Sequence, residues 1–357
     1  IEFTPTGAGT ILFVDADSGN DANAGTFASQ KQNLQTASAG IFVPNSSTSA
    51  EDGTKPNTHV YVKGTWTGSG RNNRGIDLGR ITGRAPSATA NRGPIVIMAY
   101  PGDAGSDSPS TFTWSPPAGK GGFINGQQSS FAGETVTAYG GSTGWGWYMA
   151  YIGLNVSSSD TAQADGGVFN LQYRPRNQQV IDNDISWGMT GSPAQSGGVE
   201  GSLIDCDVLL NNIHDIFGDS AKENHGIYFD GFSGTGETAA SRNDAAYNSI
   251  ENITHGTGIQ MYAAAANSDM TGNCIFGNFI NGVGKYGLNW QANTKSGKAW
   301  NNVLANIGNH GIYYDNLSIG SGDEVRNANM VIYNWGTAAA GQAAFWKNAN
   351  WSAGTVS

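Results

Sequence analysis

Charge is scarce in this chain. Only 13% of its 357 residues are Asp, Glu, Lys or Arg, and the balance is acidic, with a formal net charge of −10. Without a basic stripe to neutralise phosphates, nucleic acid is not an expected partner. Long hydrophobic runs are missing too: no stretch of 18 apolar residues occurs, so no segment is expected to span a membrane. Cysteine is limited to Cys206 and Cys274. They stand at similar distances before Asn211 and Asn278, two repeats apart, which sets them about 10 Å from each other. That exceeds the roughly 7 Å between Cα atoms that a disulfide can bridge, so two buried free thiols are expected. Also lacking is any sustained 3.6-residue hydrophobic period, which argues against a helical bundle or a helical repeat.

Glycine is plentiful, at 52 residues, and so is asparagine. Both are poor helix formers, and both tolerate the left-handed backbone of sharp corners. They recur in order. A Gly followed by an aliphatic residue appears at Gly167-Val168, Gly198-Val199, Gly226-Ile227, Gly258-Ile259, Gly287-Leu288 and Gly311-Ile312, and weakly at Gly341-Gln342, at intervals of 31, 28, 32, 29, 24 and 30 residues. An Asn two places before an aliphatic residue keeps step with it: Asn183/Ile185, Asn211/Ile213, Asn248/Ile250, Asn278/Ile280 and Asn302/Leu304. Self-similarity at this period marks a stacked architecture whose units bury their apolar faces against one another. Two aligned phrases per unit, each beside an aliphatic and mostly β-branched residue, suit coils of short strands. The Asn column is expected to stack into a hydrogen-bonded ladder, a structural role.

The fold class expected is therefore all-β, a strand solenoid forming one domain over 1–357. Residues 1–60 would supply an N-terminal strand and cap, and 60–357 the stacked coils. Residues 10–26 begin with an apolar strand and pass into an Asp/Asn/Gly turn. Residues 29–41 are expected to form a short helix covering the open end of the stack. Apolar strands follow near Val60–Thr65 and Pro94–Tyr100. Ile1-Glu2-Phe3 reads as a trimmed start, and the low-Lys, Ser/Thr/Asn/Gly-rich composition fits a secreted protein.

Three segments carry a resemblance. SGNDANAGT at 18–26, VYVKGTWTG at 60–68 and PIVIMAYPGD at 94–103 resemble the opening of secreted right-handed parallel β-helix proteins of the pectate-lyase-like superfamily. The coils at Asn224-His225-Gly226-Ile227-Tyr228 and Asn309-His310-Gly311-Ile312-Tyr313 are similar to coils of that superfamily. The resemblance implies a right-handed β-helix with a capping helix and action on polysaccharides. Its motifs specify the scaffold and leave the reaction open. Neither the paired-Asp pattern of polygalacturonases nor the acidic calcium cluster of pectate lyases is present.

Strand alternation sorts the repeat into faces. After each Gly, Ile227, Phe229, Ile259, Met261, Leu288, Trp290, Ile312 and Tyr314 should point inward. Glu200, Ser202, Tyr228, Asp230, Gln260, Tyr262, Asn289, Gln291, Tyr313 and Asp315 should point outward, a strip of carboxylates, amides and phenols without a lysine. Insertions at 188–197, 217–225 and 231–243 would wall a cleft around Glu200, Tyr228 and Asp230. Glu200 and Asp230 are one strand apart and offset by two residues, so their backbones should lie about 8 Å apart, within the roughly 6.5–9.5 Å of inverting glycosidases. The first expectation is hydrolysis of a polysaccharide or oligosaccharide with Asp230 and Glu200 as acid and base. Gln260, Tyr262, Asn289, Gln291, Tyr313 and Asp315 would then bind substrate. The second is a lyase acting on a uronic-acid glycan, with His225, Lys222 or Tyr228 as base, Arg174 and Arg176 on the substrate's carboxylates, and calcium held by Asp230 or Glu200. The third is a glycan-binding fibre module without catalysis.

Other candidates are weaker. Asp182/Asp184 and Asp205/Asp207 each place two carboxylates on one side of a strand. Asp15, Asp17 and Asp21 resemble a calcium loop but lack its Gly and its distant Glu. His214, His255 and His310 are read as corner or rim residues, and Trp66, Trp145 and Trp147 as either sugar platforms or core.

Overall fold

The computed structural model describes residues 9–34, 40–42, 57–68, 76–77, 93–101, 111–115, 122–125, 148–158, 167–171, 176–187, 197–218, 223–231, 240–263, 270–291, 294–315, 324–336, 343–347 and 355–356. Among them every named strand pairs in parallel, coil upon coil. One coil is Asp207–Leu209, Asn212–Ile216 and His225–Gly231, and the next is Asp244–Ala246, Ser249–Ile253 and Thr257–Ala263. The register locks Val208 to Ala245, Ile213 to Ile250 and Ile227 to Ile259. The chain is a parallel β-helix, with the right-handed winding that parallel crossovers take. Its first and second sheets run on into each other around one corner. The third is a separate sheet of nine strands, from Ile76–Asp77 to Phe345–Lys347.

The interior is built from columns of like residues. Ile213, Ile250, Ile280 and Leu304 are fully buried, as are Ile227, Ile259, Leu288 and Ile312 of the third sheet. Each such side chain contributes roughly 1.5–3 kcal/mol by leaving water. All eight residues expected to point inward along the third sheet are buried. The Asn column stands where the first sheet turns into the second. Asn183 Nδ2 donates to Asn211 Oδ1 at 3.0 Å, Asn211 to Asn248 at 3.0 Å, Asn248 to Asn278 at 2.9 Å and Asn278 to Asn302 at 2.8 Å. Each amide also donates to a backbone carbonyl, and each Oδ1 also accepts a backbone N–H.

The two repeated residues do different jobs from those expected of corner residues. Left-handed corners are taken largely by non-glycine residues, including Asp182, Leu210, Tyr247 and Asn301 after the first-sheet strands and Asp215, Asn252 and Asn306 within the second-sheet strands. The column glycines at 198, 226, 258, 287 and 311 are not among the positive-φ residues. They are needed for room: a Cβ on Gly226 would lie 2.5 Å from Ile250 Cγ2 and 2.6 Å from the Gly258 carbonyl oxygen. The register also shifts two ends of the repeat. Phe169 pairs with Val199, so Val168 occupies the glycine place and Gly167 lies one position early. At the other end Phe345 pairs with Ile312, which makes Ala344 the seventh member, while 341–342 lie outside the described residues.

Two further expectations change. Described residues 29–34 and 40–42 form no helix; 35–39 lie outside the described set. Lys31 instead bridges Val14, and Leu34, Ile41 and Phe42 are buried in the core. The cysteines do not share a place either. Cys206 is buried inside, one position before Asp207, while Cys274 pairs with Asp244 and is only half-buried. A one-residue difference in register turns a side chain to the opposite face. Burial pushes the Cys206 thiol up to about 12, so it stays protonated. No helix among the described residues is long and apolar enough to cross a membrane. Ile1–Phe3 lie outside them.

Candidate active site

The outer face of the third sheet is made of rows across coils. One row runs Asn125, Asn170, Glu200, Tyr228, Gln260, Asn289, Tyr313 and Trp346. A second runs Gly197, His225, Thr257, Tyr286 and His310, and Asp230 pairs with Tyr262 in a third. The outward assignment places these side chains away from the core, yet this face is not an open, solvated one. Glu200 is 3% exposed, His225 1%, Gln260 4% and Asn289 1%. Tyr228, Asp230, Tyr262, Gln291, Tyr313 and Asp315 are half-buried.

Four of the expected catalytic residues come together. His225 and Tyr228 stack with ring centroids 4.5 Å apart, and the Tyr228 hydroxyl donates to Asp230 Oδ1 at 3.3 Å. Glu200 Oε1 lies 3.6 Å from His225 Nδ1. The loss of a side chain at Gly197 makes this possible, since a Cβ there would collide with the Glu200 carboxylate. Burial, and next the Glu200 charge, push the Asp230 carboxyl up to about 6 against the opposing pulls of Tyr228 and His225. Burial and the Asp230 charge hold the Tyr228 phenol well above its ordinary range, so it remains a donor. Lys222 lies outside the described residues.

The expected substrate residues divide. Gln260 Oε1 meets His225 Nε2 at 3.1 Å and accepts from Asn289 Nδ2 at 3.2 Å, and Gln260 Nε2 donates to Gln291 Oε1 at 3.3 Å. Tyr262 stands beside Asp230 on the next coil. Tyr313 gives one ring face to Tyr286 at 4.3 Å, within a stack that includes His310 and Trp346. Asp315 is close enough to raise the Tyr286 phenol, behind burial, Tyr313 and Glu223. Arg176 does not join them: it bridges Ile204 at the far corner and acts on Asp205, which Arg242 clamps through both guanidinium and carboxylate forks. Arg174 lies outside the described residues.

Several members of this face escape a reading by Gly phrases. Asn170 is fully buried and both its amide atoms find no hydrogen-bond partner among the described residues. The one-residue shift at Gly167 hides it, since Asn170 is two places beyond Val168 as Glu200 is two beyond Gly198. Glu223 and Lys285 pair at 2.9 Å next to His225, one in the approach to each strand. Elsewhere, the Asp15–Asp21 turn spends its oxygens on the chain: Asp15 caps Asp17 and Ser18, Asp17 accepts from Thr65 N, and Asp21 accepts from Gln32 N and Asn33 N. Among the described residues no three acidic, His or Cys side chains converge as a cation site. His214 lies on the second sheet between Asp184 and Asp215, His255 is an exposed corner, and Trp66 is core, donating to Asn33. Trp145 and Trp147 lie outside the described residues.

Neither protein-family models nor curated proteins match the sequence. Among solved structures, the chain is similar to a mutant of the periplasmic alginate epimerase AlgG, at 13% identity over 82% of this chain and 60% of that one, with a TM-score of 0.39. It is similar to the native GH136 lacto-N-biosidase from Eubacterium ramulus, at 14% identity over 90% and 55%, TM-score 0.45. An alginate lyase from Paenibacillus sp. strain FPU-7 follows at 13% identity over 82% and 93%, TM-score 0.33. The chain thus spans less than two thirds of the first two proteins. These likenesses concern the path of the chain, and they assign no reaction.

Proposed function

We propose that this protein is a glycan-cleaving enzyme that works by hydrolysis, with Asp230 and Glu200 as its acid and base. The observation that carries this reading is the placing of two carboxyl groups on adjacent coils, Glu200 in register with Tyr228 and Asp230 held by the Tyr228 hydroxyl. Asp230 is raised to about 6 by burial and by Glu200, so it can hold a proton to give to a leaving oxygen. Glu200 is the partner whose charge does part of that work. Their strand offset corresponds to a backbone separation of about 8 Å, room for a water as in inverting enzymes. Tyr262, Gln291 and Asn170 supply hydroxyl-binding groups on either side. An acidic cleft suits a neutral glycan better than a polyanion, and the composition suits an exported protein.

Elimination on a uronic-acid glycan is the second reading, favoured by the stacked His225–Tyr228 pair. Since the Tyr228 phenol stays protonated, His225 would be its base and Tyr228 its proton donor. Assay against neutral and uronic polysaccharides separates the two. New reducing ends without an unsaturated-uronate absorbance support hydrolysis, and inverted product anomers in proton NMR support the water-spanning pair. Unsaturated products move the assignment to the lyase, and binding without any product leaves a glycan-binding module.

A further inference from the structure

We infer that Gln260 is a positioning residue that fixes the tautomer of His225, making Glu200 and His225 one proton-holding unit. The chemical use given to that unit rests on the hydrolytic reading above; the tautomer itself does not. Gln260 sits one coil beyond His225, 4% exposed, with its Oε1 facing His225 Nε2 at 3.1 Å. The same oxygen accepts from Asn289 Nδ2 at 3.2 Å, and the amide nitrogen is committed to Gln291 Oε1 at 3.3 Å. An amide oxygen only accepts, so His225 Nε2 must be the donor. In the neutral ring the lone pair is then on Nδ1, and Nδ1 is the atom turned toward Glu200.

The reversed network, with all three amides flipped, would let Gln260 donate to a bare Nε2. It would also change what Asn289 leaves unpaired. As arranged, one Asn289 oxygen has no partner among the described residues. Reversed, the two protons of its amide nitrogen would face that same empty side, and a buried N–H without an acceptor is the rarer and costlier defect.

The Glu200 side follows from the same geometry. Glu200 Oε1 and His225 Nδ1 are 3.6 Å apart, and neither has a hydrogen-bond partner among the described residues. Shortening by a few tenths of an ångström makes a hydrogen bond once a proton lies between them. Other charged or titratable groups around the ring are Glu223, 4.0 Å from Nε2 and itself held by Lys285, then Tyr228 on the ring face and Asp230 beyond it. In hydrolysis, water attacks the anomeric carbon as the glycosidic C–O bond breaks; the leaving oxygen takes the Asp230 proton, and the water's O–H bond breaks toward the Glu200 carboxylate. The Glu200 Oε1–H bond then breaks as Nδ1–H forms. The step ends with an imidazolium facing a regenerated carboxylate, and the proton leaves to solvent in the next cycle. Glu200 touches the reacting water; Gln260 acts through His225.

The test is the nitrogen-15 NMR spectrum of histidine-labelled protein, at a pH where the ring is neutral. His225 is identified among the five histidines by the signal lost in His225→Asn. The expected result is a protonated Nε2 and a bare Nδ1 in the wild type, moving toward protonated Nδ1 in Gln260→Leu. Gln260→Glu keeps an acceptor at that place and should keep the wild-type tautomer; if the leucine variant folds poorly, the wild-type tautomer decides. A wild-type ring protonated at Nδ1 overturns the inference, as does a tautomer unmoved in folded Gln260→Leu. On substrate, Gln260→Leu should lower kcat by up to about 10²-fold with KM nearly unchanged, whereas a loss confined to KM makes Gln260 a substrate ligand instead. If the tautomer is as expected but products are unsaturated, the hydrolytic reading fails and the positioning role stands.

Discussion

Two columns of buried polar side chains climb this molecule, and they are built on opposite terms. At the first corner the same residue repeats, Asn183, Asn211, Asn248, Asn278 and Asn302, and each amide oxygen and nitrogen finds partners from coil to coil. On the third sheet the residues vary, Asn170, Glu200, Tyr228, Gln260 and Asn289, and atoms of Asn170, Glu200 and Asn289 are left without partners among the described residues. Burying a polar group without a hydrogen bond costs stability. A scaffold has no reason to keep such defects in a row, whereas a binding face leaves them for its ligand. We read the uniform, satisfied column as structure and propose the varied, partly unsatisfied row as the binding face.

The comparison breaks most visibly at Asp230. Asp230→Asn should cut the rate of glycan cleavage by about 10²–10⁴-fold while leaving the thermal unfolding of the protein at neutral pH no lower than wild type. Near-normal turnover of folded Asp230→Asn and Glu200→Gln would end the carboxylate mechanism. On the other column the effects reverse. Asn248→Ala removes four hydrogen bonds, two accepted from Asn211 and two donated to Val208 and Asn278. It should cost about 3–5 kcal/mol in denaturant unfolding, with the activity of the folded fraction intact.

A smaller effect is expected from pH. Because Asp230 is held at about 6 in the fold, against an ordinary value of 3.8, the native state keeps a proton over a window in which the unfolded chain has released it. Stability therefore falls as pH rises through that window, by on the order of 2–3 kcal/mol, and the loss is complete above it. Asp230→Asn should flatten this slope in melts between about pH 4 and pH 7.5, and the wild-type rate should decline as pH passes about 6. The smallest stability effect belongs to Tyr262→Ala, where the ring is half-buried on the outer face. A loss of under about 1 kcal/mol is expected, against about 2–5 kcal/mol for Ile259→Ala on the inner face. Equal losses in the two variants would mean that the faces have been confused.

Most of the architecture was legible because its causes are local and repeated. An aliphatic residue two places after each column Asn, and another after each column Gly, are enough to set the strand faces. What failed did so by one residue or by long range. Gly167 looks like a member of the glycine column because Gly is there, but it pairs with Gly197, and Phe169 with Val199, although Val168 and Phe169 are both buried in the core. Cys274 reads as the equivalent of Cys206 until pairing with Asp244 shows it to be on the other face. The reason for the glycines was hidden as well, since crowding by Ile250 and the next coil's carbonyl belongs to residues far along the chain. At the candidate site, the outward strip could be read from alternation alone, but its burial, and the sorting of Gln260 toward His225 and Arg176 toward Asp205, depend on tertiary neighbours.

The asparagine ladder has a direction. In every amide-to-amide bond the nitrogen donates toward the C-terminal end and the oxygen receives from the N-terminal end, from the Leu154 N–H that meets Asn183 to the Met330 thioether that meets Asn302, while the second N–H of each amide turns back to a carbonyl of the preceding coil. A coil is thus a head-to-tail link, with the same socket below and the same plug above. Lengthening such a molecule needs no new joint: duplicating one whole coil, inserted in phase, would reproduce every bond of the ladder, while a few residues added inside a strand would break it on both sides. The fold carries its own rule for growth, and the rule is written in whole turns.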